Sequence, residues 1–172
     1  PYEHETMLAR DLTDLPAVQP ASGLVFRLVD PMDDASVDAF CQSQAIGFFE
    51  NEAPPPGMLP ITHRVAQAPR CRLWLLEQDG RVVGSGGLEH FEESAALIAG
   101  CVHAGARRQG LQAMFIRFRL RQAAAQGVDY VTIASTPRGP TERNAQRSGF
   151  RAVFTQTGLQ RTQAPNTENT EG

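Results

Sequence analysis

The sequence predicts an α/β fold, and three observations carry that expectation. Arg72–Glu77 and Arg81–Leu88 are two strand-forming runs joined across Asp79-Gly80, the pattern of a tight β-hairpin. A strand candidate from Ala95 to Val102 passes through the glycine-bearing basic turn His103-Ala104-Gly105-Ala106-Arg107-Arg108-Gln109-Gly110 into a segment whose apolar residues recur at helical spacing. Past Gly127 the alternation repeats: Asp129 to Ser135 is β-branched in its middle, Pro140 to Arg147 has the form of a short helix, and Gly149-Phe150 opens a last strand toward Gln156.

The remaining elements follow in chain order. Residues 1–20 contain Thr13-Asp14-Leu15-Pro16 and end in Pro20, which predicts an irregular or peripheral N-terminal arm or linker. Gly23 to Val29 reads as a first strand, with Leu24, Phe26 and Leu28 alternating against Val25 and Arg27. After Pro31 a helix is expected to about Phe49, with Asp33, Asp34 and Ser36 as N-cap candidates. Asn51 to Pro60 holds Pro54-Pro55-Pro56-Gly57 and is too proline-rich for a helix interior, whereas Ile61 to Gln67 fits a second, short helix before Pro69. From Leu111, the residues Met114, Phe115, Phe118 and Ala125 keep helical spacing around a polar break at Gln122, and Gly127 supplies the stop. Residues 161–172 are polar, rich in Thr, Asn and Glu, and read as a disordered tail. The folded domain is therefore expected over residues 21–160, without internal repeats.

Composition narrows the class. With 172 residues, 41% hydrophobic and 20% charged, the chain has the size and make-up of one globular domain. A net charge of −3 without a dense basic block argues against a nucleic-acid surface. No apolar run approaches the ~20 residues of a membrane span, and the start has no signal-peptide pattern. The chain begins with Pro1 rather than Met, as either a fragment of a longer protein or a processed form would. Cys41, Cys71 and Cys101 are an odd number without a close pair, so neither a disulfide framework nor a zinc site is indicated, and a reducing, cytoplasmic setting is expected. His4, His63, His90 and His103 lack ligand spacing, and no metal is predicted.

The basic turn has the chemistry of an anion site. The first turn of a helix leaves backbone N–H groups without intrahelical partners at the positive end of the helix dipole. Gly110 allows close approach of the backbone to an anion, and Arg107 and Arg108 add full charge. A phosphate-bearing cofactor fits that description. Arg117, Arg119 and Arg121, further along the helix, read as a solvated face. Cys101 reads as a small buried residue rather than a nucleophile. No Gly-Lys-Ser/Thr P-loop and no Gly-x-Gly-x-x-Gly occurs, which sets aside a nucleotide-binding protein of another fold.

The run from about Val82 to Phe154 resembles the GNAT superfamily of acyl-CoA-dependent N-acyltransferases. The residues that carry the likeness are Val102-His103, Arg107-x-x-Gly110-x-Gln112, the helix and strand that follow, and Gly149-Phe150. Two positions depart from the superfamily's pattern. Gln112 replaces the second small residue of the turn, and Ala145 stands four residues before Gly149, where many members carry a Tyr that protonates the leaving thiolate. The resemblance implies a mixed, mostly antiparallel sheet flanked by helices, with the Leu111 helix on one face and the two N-terminal helices on the other. It implies acetyl-CoA as co-substrate and direct transfer of the acetyl group to a primary amine, with no covalent enzyme intermediate.

Under that resemblance the backbone N–H groups of Arg108, Gln109, Gly110, Leu111, Gln112 and Ala113 would hold the pyrophosphate, helped by the Arg107 and Arg108 side chains. Free backbone groups at Cys101, Val102 and His103 would bond the pantetheine arm and polarise the thioester. Thr136 and Asn144 would reach the pantetheine or adenosine portion. Glu89, in the acidic segment Glu89-His90-Phe91-Glu92-Glu93, is the first choice as general base, set against a solvated acidic loop. Ser135 or water would protonate the thiolate. Phe48, Phe49, Met58 and Leu59 lie where the family walls its acceptor pocket, although ordinary packing accounts for each. The acceptor would be a small-molecule amine, and a homodimer is plausible for the family. A second reading is a catalytically weak acyl-CoA-binding or sensing module within a larger chain.

Overall fold

The computed structural model describes residues 2–15, 17–18, 23–50 and 53–159; the expected disordered tail at 161–172 lies outside the described residues. In chain order the elements are β1 (Tyr2–Asp11), β2 (Leu24–Leu28), α1 (Asp34–Phe49), α2 (Met58–Ala66), β3 (Cys71–Gln78), β4 (Arg81–His90), β5 (Ser94–Val102), α3 (Leu111–Ala124), β6 (Tyr130–Ser135), α4 (Pro140–Arg147) and β7 (Arg151–Leu159), with a short 3-10 turn at Ala104–Ala106. The seven strands form one sheet in the order β2-β3-β4-β5-β6-β1-β7. Every neighbouring pair is antiparallel except β5 with β6. The expected mixed, mostly antiparallel sheet is thus the fold of this chain.

Local chemistry explains most element boundaries. The β3–β4 turn places Asp79 at φ 50° and Gly80 at φ 75°, the two left-handed residues that a type I′ hairpin requires. Of the three N-cap candidates for α1, Asp33 serves, its carboxylate accepting from the Ala35 N–H at 3.1 Å. The second helix starts at Met58, three residues before the expected Ile61. Pro60 is tolerated because it sits in the first turn, where its missing N–H would have had no intrahelical partner.

Residues 2–11 correct the expectation of an irregular or peripheral arm. They form β1, which lies inside the sheet and pairs with β6 from Thr6↔Ser135 to Asp11↔Tyr130 and with β7 from Tyr2↔Leu159 to Ala9↔Arg151. Hydrogen bonding on both edges, rather than an apolar pattern, makes this segment a strand, because Leu8 and Thr6 are its only side chains buried among those described. The Gly23–Val29 run is consequently the second strand and holds one edge of the sheet.

Two cores form on opposite faces. α3 covers one with Phe115, Ile116, Leu120 and Ala123, packed on Leu8, Trp74, Leu88, Leu97 and Val131, and α4 adds Ala145. α1 and α2 cover the other with Val37, Phe40, Cys41 and Ala66 against Leu73 and Leu75. Each fully buried aliphatic side chain contributes about 1.5–3 kcal/mol of transfer free energy. No helix among the described residues is long and apolar enough to cross a membrane.

Two irregularities in the middle of the sheet create the site. Parallel pairing of β5 with β6 runs only from Ser94↔Tyr130 to Leu97↔Ile133, yet β5 continues to Val102 and β6 to Ser135, so the strands part. On its other edge β5 carries a bulge, since the register with β4 passes from Ser85↔Cys101 to Gly87↔Ile98 and leaves Gly86 opposite both Ala99 and Gly100. Ala99 there has φ 53°, a left-handed conformation that costs a non-glycine residue about 1–2 kcal/mol.

Candidate functional site

A cleft of about 600 Å³ opens where β5 parts from β6 and where the N-termini of α3 and α4 converge. α3 begins after Gly110, at φ 75°, and has no side-chain cap. Its first intrahelical bond is from the Met114 N–H to the Gly110 carbonyl at 3.1 Å, which leaves the N–H groups of Leu111, Gln112 and Ala113 free to meet a ligand. A Cβ on Gly110 would meet nothing within 4 Å, so the space in front of the helix is open. α4 likewise starts uncapped, after Gly139, with Pro140 and Thr141 on the cleft wall. The charged side chains on the wall are Arg107, Arg108 and Arg147, all cationic. The cleft therefore has a geometry and a charge that suit an anion.

Gln112, the departure in the turn, has a definite role in this structure. Its Oε1 accepts from Asn144 Nδ2 at 2.6 Å and its Nε2 donates to Thr141 Oγ1 at 3.2 Å. The side chain therefore ties the start of α3 to α4 and orients Asn144 at the cleft. Arg107 is committed to structure: Nε donates to the Val102 carbonyl at 3.1 Å, Nη1 to Glu50 at 2.6 Å and Nη2 to the Gly47 carbonyl at 3.3 Å. It clamps the end of α1 to the end of β5, and Arg108 and Arg147 are the other cations of the wall.

The other named residues divide among four places. Cys101, Val102, Arg108, Gly110, Leu111, Gln112, Ala113 and Asn144 line the main cleft. Ser135 and Thr136 line a deeper cavity of about 250 Å³ that continues from it between β5 and β6. His103 and Gln109 face a separate surface cavity instead. His103 Nε2 lies 3.0 Å from Ser43 Oγ, and burial pushes its imidazole pKa down, so a neutral ring bridges α1 and β5. Cys101 is buried, with its Sγ 3.3 Å from Ser85 Oγ, and burial pushes its thiol pKa up, away from the thiolate that nucleophilic work requires. Glu89 lies on the α2 side of the sheet, in a pocket of about 520 Å³, and accepts from Arg70 Nε at 2.7 Å. Ala99, at the bulge, lines both that pocket and the deeper cavity, so a single strand separates them.

Two findings lie outside the sequence reading. Arg119, expected on a solvated helix face, is 2% exposed. Its Nε donates to the Phe115 carbonyl at 3.3 Å and its Nη1 to the Gly87 and Ile98 carbonyls at 3.3 and 3.2 Å. Helical spacing gives the reason, since 119 follows 115 and 116 by one turn and shares their buried face, and Gly86 and Gly100 leave room for the guanidinium. Arg147 was also missed, although it shares a face of α4 with Thr141 and Asn144 at i+3 spacing, a signal present in the sequence. Ala145, at the position where many family members carry a Tyr, is fully buried against the core and does not line the cleft.

Comparison with known proteins places this geometry. The profile of the Acetyltransferase (GNAT) family matches residues 37–150. No curated protein matches the chain. Among solved structures, a GCN5-related N-acetyltransferase from Kribbella flavida superposes with TM-score 0.63 at 16% identity, over 90% of this chain and 56% of that one. A GCN5-related N-acetyltransferase from Sphaerobacter thermophilus gives TM-score 0.71 at 16% identity, over 90% and 50%. A predicted acetyltransferase from Clostridium acetobutylicum, solved with acetyl-CoA, gives 0.58 at 12% identity, over 76% and 91%. The chain thus spans only about half the length of the first two of these proteins. At these identities the structures show a shared fold, and the profile match over most of the domain shows the lineage: the chain belongs to the GNAT acetyltransferase family.

Proposed function

We propose that this chain transfers an acetyl group from acetyl-CoA directly to a primary amine of a small molecule. The observation that carries the reading is the uncapped N-terminus of α3, which opens with Arg108 and Arg147 onto a cleft running inward between the parted strands β5 and β6. Its mouth suits a pyrophosphate, held by the N–H groups of Arg108 to Ala113, and its length suits a pantetheine arm lying along Val102 and Cys101. The acetyl thioester supplies an activated carbonyl, and the backbone at the β5 bulge is placed to polarise it.

The acceptor would enter from the α2 side, through the pocket that holds Glu89. Glu89, steadied by Arg70, takes the proton that the attacking ammonium must lose, directly or through a water. Ser135, whose buried Oγ has no hydrogen-bond partner among the described residues, is free to donate toward the leaving sulfur. Ala145 in place of the usual Tyr favours a second reading, a module that binds acyl-CoA but transfers little. Thiol release from acetyl-CoA in the presence of a panel of primary amines separates the two. Transfer to any amine, lowered by Glu89→Gln by about two orders of magnitude or more, supports the enzyme. Coenzyme binding without transfer to any of them selects the module.

A further inference from the structure

The cavity between β5 and β6 holds a cation that no described carboxylate neutralises. Arg119 forms no salt bridge among the described residues, and its positive charge is balanced only by the carbonyl dipoles of Phe115, Gly87 and Ile98 and by the Phe115 ring, whose centroid is 4.5 Å away. Nη1 makes the bonds to the strand carbonyls, and Nη2 faces Gly100: a Cβ on that glycine would sit 3.0 Å from Nη2. Gly100 lines both the main cleft and the deeper cavity, so a chain threaded past it comes within reach of the guanidinium. Ser135, on the facing strand, is 6% exposed and presents its unpartnered hydroxyl to the same cavity. A buried cation and a buried orphan donor converging on one space are a costly arrangement unless an anion or a strong acceptor completes them.

We propose that Arg119 and Ser135 form a thiolate-binding pair that stabilises the sulfur leaving from the thioester, in place of the proton donor missing at Ala145. This inference rests on the coenzyme reading of the cleft. As the amine nitrogen forms its bond to the carbonyl carbon, the C–S bond breaks and its electron pair leaves on sulfur. Arg119 Nη2 and the Ser135 hydroxyl donate hydrogen bonds to that sulfur. The amine's proton passes to Glu89 or water, the thiolate regains a proton from solvent, and the guanidinium keeps its own. A fixed cation in a site closed from water supports developing negative charge without reorganising. Burial lowers the Arg119 pKa only to about 10, so the group stays charged at neutral pH. Glu5 is the carboxylate on the cavity wall and opposes the effect, but it is exposed and accepts from Gln156 at 2.9 Å. Cys101, also near Arg119, is held as the neutral thiol.

The test needs no acceptor. The thiol of CoA bound to the protein is titrated by thiolate ultraviolet absorbance, with desulfo-CoA as the reference that subtracts the protein's own groups. Bound CoA is expected to ionise about tenfold more readily than free CoA, or more. Arg119→Met is expected to abolish that gain, and Ser135→Ala to reduce it. Arg119→Gln keeps donors for the strand carbonyls and covers the case in which Arg119→Met does not fold. A bound thiol that ionises like free CoA overturns the proposal, as does a gain that survives loss of the charge. If neither CoA nor desulfo-CoA binds the folded protein, the coenzyme reading itself has failed and the pair falls with it.

Discussion

Replacing Gly110 by Glu perturbs the proposed pyrophosphate cradle while sparing the fold, and the two effects can be sized separately. Gly110 sits at φ 75°, where a side chain costs about 1–2 kcal/mol, but its Cβ would meet nothing within 4 Å. A carboxylate before the uncapped first turn of α3 returns about 0.3–1 kcal/mol through the helix dipole. The net cost to folding is therefore about 1 kcal/mol, a fall of roughly 2–4 °C in Tm for a chain of this size. Against a pyrophosphate the same carboxylate is repulsive. Two like charges about 4 Å apart cost about 1 kcal/mol even at the dielectric of water, so two phosphate charges give at least about 2 kcal/mol, or roughly 30-fold in Kd. Calorimetric titration with CoA at low salt reads the affinity, and circular dichroism confirms the fold. A folded Gly110→Glu protein that binds CoA as tightly as the parent would refute the placement of the phosphates on this turn.

Gln112→Ala removes the tie from α3 to Thr141 and Asn144, and CoA affinity should fall by several-fold with little change in Tm; unchanged affinity would make the tie ornamental. Leu120→Ala empties a fully buried position in the α3 core and should cost about 2–5 kcal/mol in urea unfolding, whereas a loss below 1 kcal/mol would contradict the packing described. His90 and His103 both have imidazole pKa values pushed below the ordinary value by burial. The folded state therefore resists protonation that the unfolded chain accepts, and stability should decline as pH falls below about 6.5 and level off beneath the folded values. Denaturant midpoints that stay flat or rise from pH 7 to pH 5 would contradict this, and His90→Leu should remove part of the decline.

The sequence made some parts of this molecule legible and hid others, for physical reasons. Asp79-Gly80 specified its hairpin because only left-handed residues close that turn. Asp33 and Gly127 marked helix ends because capping is local chemistry. The anion cradle was readable because Gly110 and the charge beside it lie on one continuous stretch. β1 was hidden because its place in the sheet depends on backbone bonds to β6 and β7, which lie near the other end of the chain. Arg119 was hidden because a charged residue is weighed as solvated unless its helical phase is checked against its neighbours. Its partners, Gly87 and Ile98, are supplied by strands that only the fold brings together. Glu89 was found as a residue, but its position across β5 from the cleft depends on the bulge at Ala99, which no pattern in the strand announces.

The central claim is that the parted strands and the α3 turn are the coenzyme site. Amide resonances of the labelled protein, followed during titration with acetyl-CoA, test it most directly. The account predicts saturable shifts concentrated at Arg108 to Ala113, at Gly100 to Val102 and at Ser135. Absence of any shift at millimolar acetyl-CoA, or shifts clustered away from β5 and the start of α3, would contradict it.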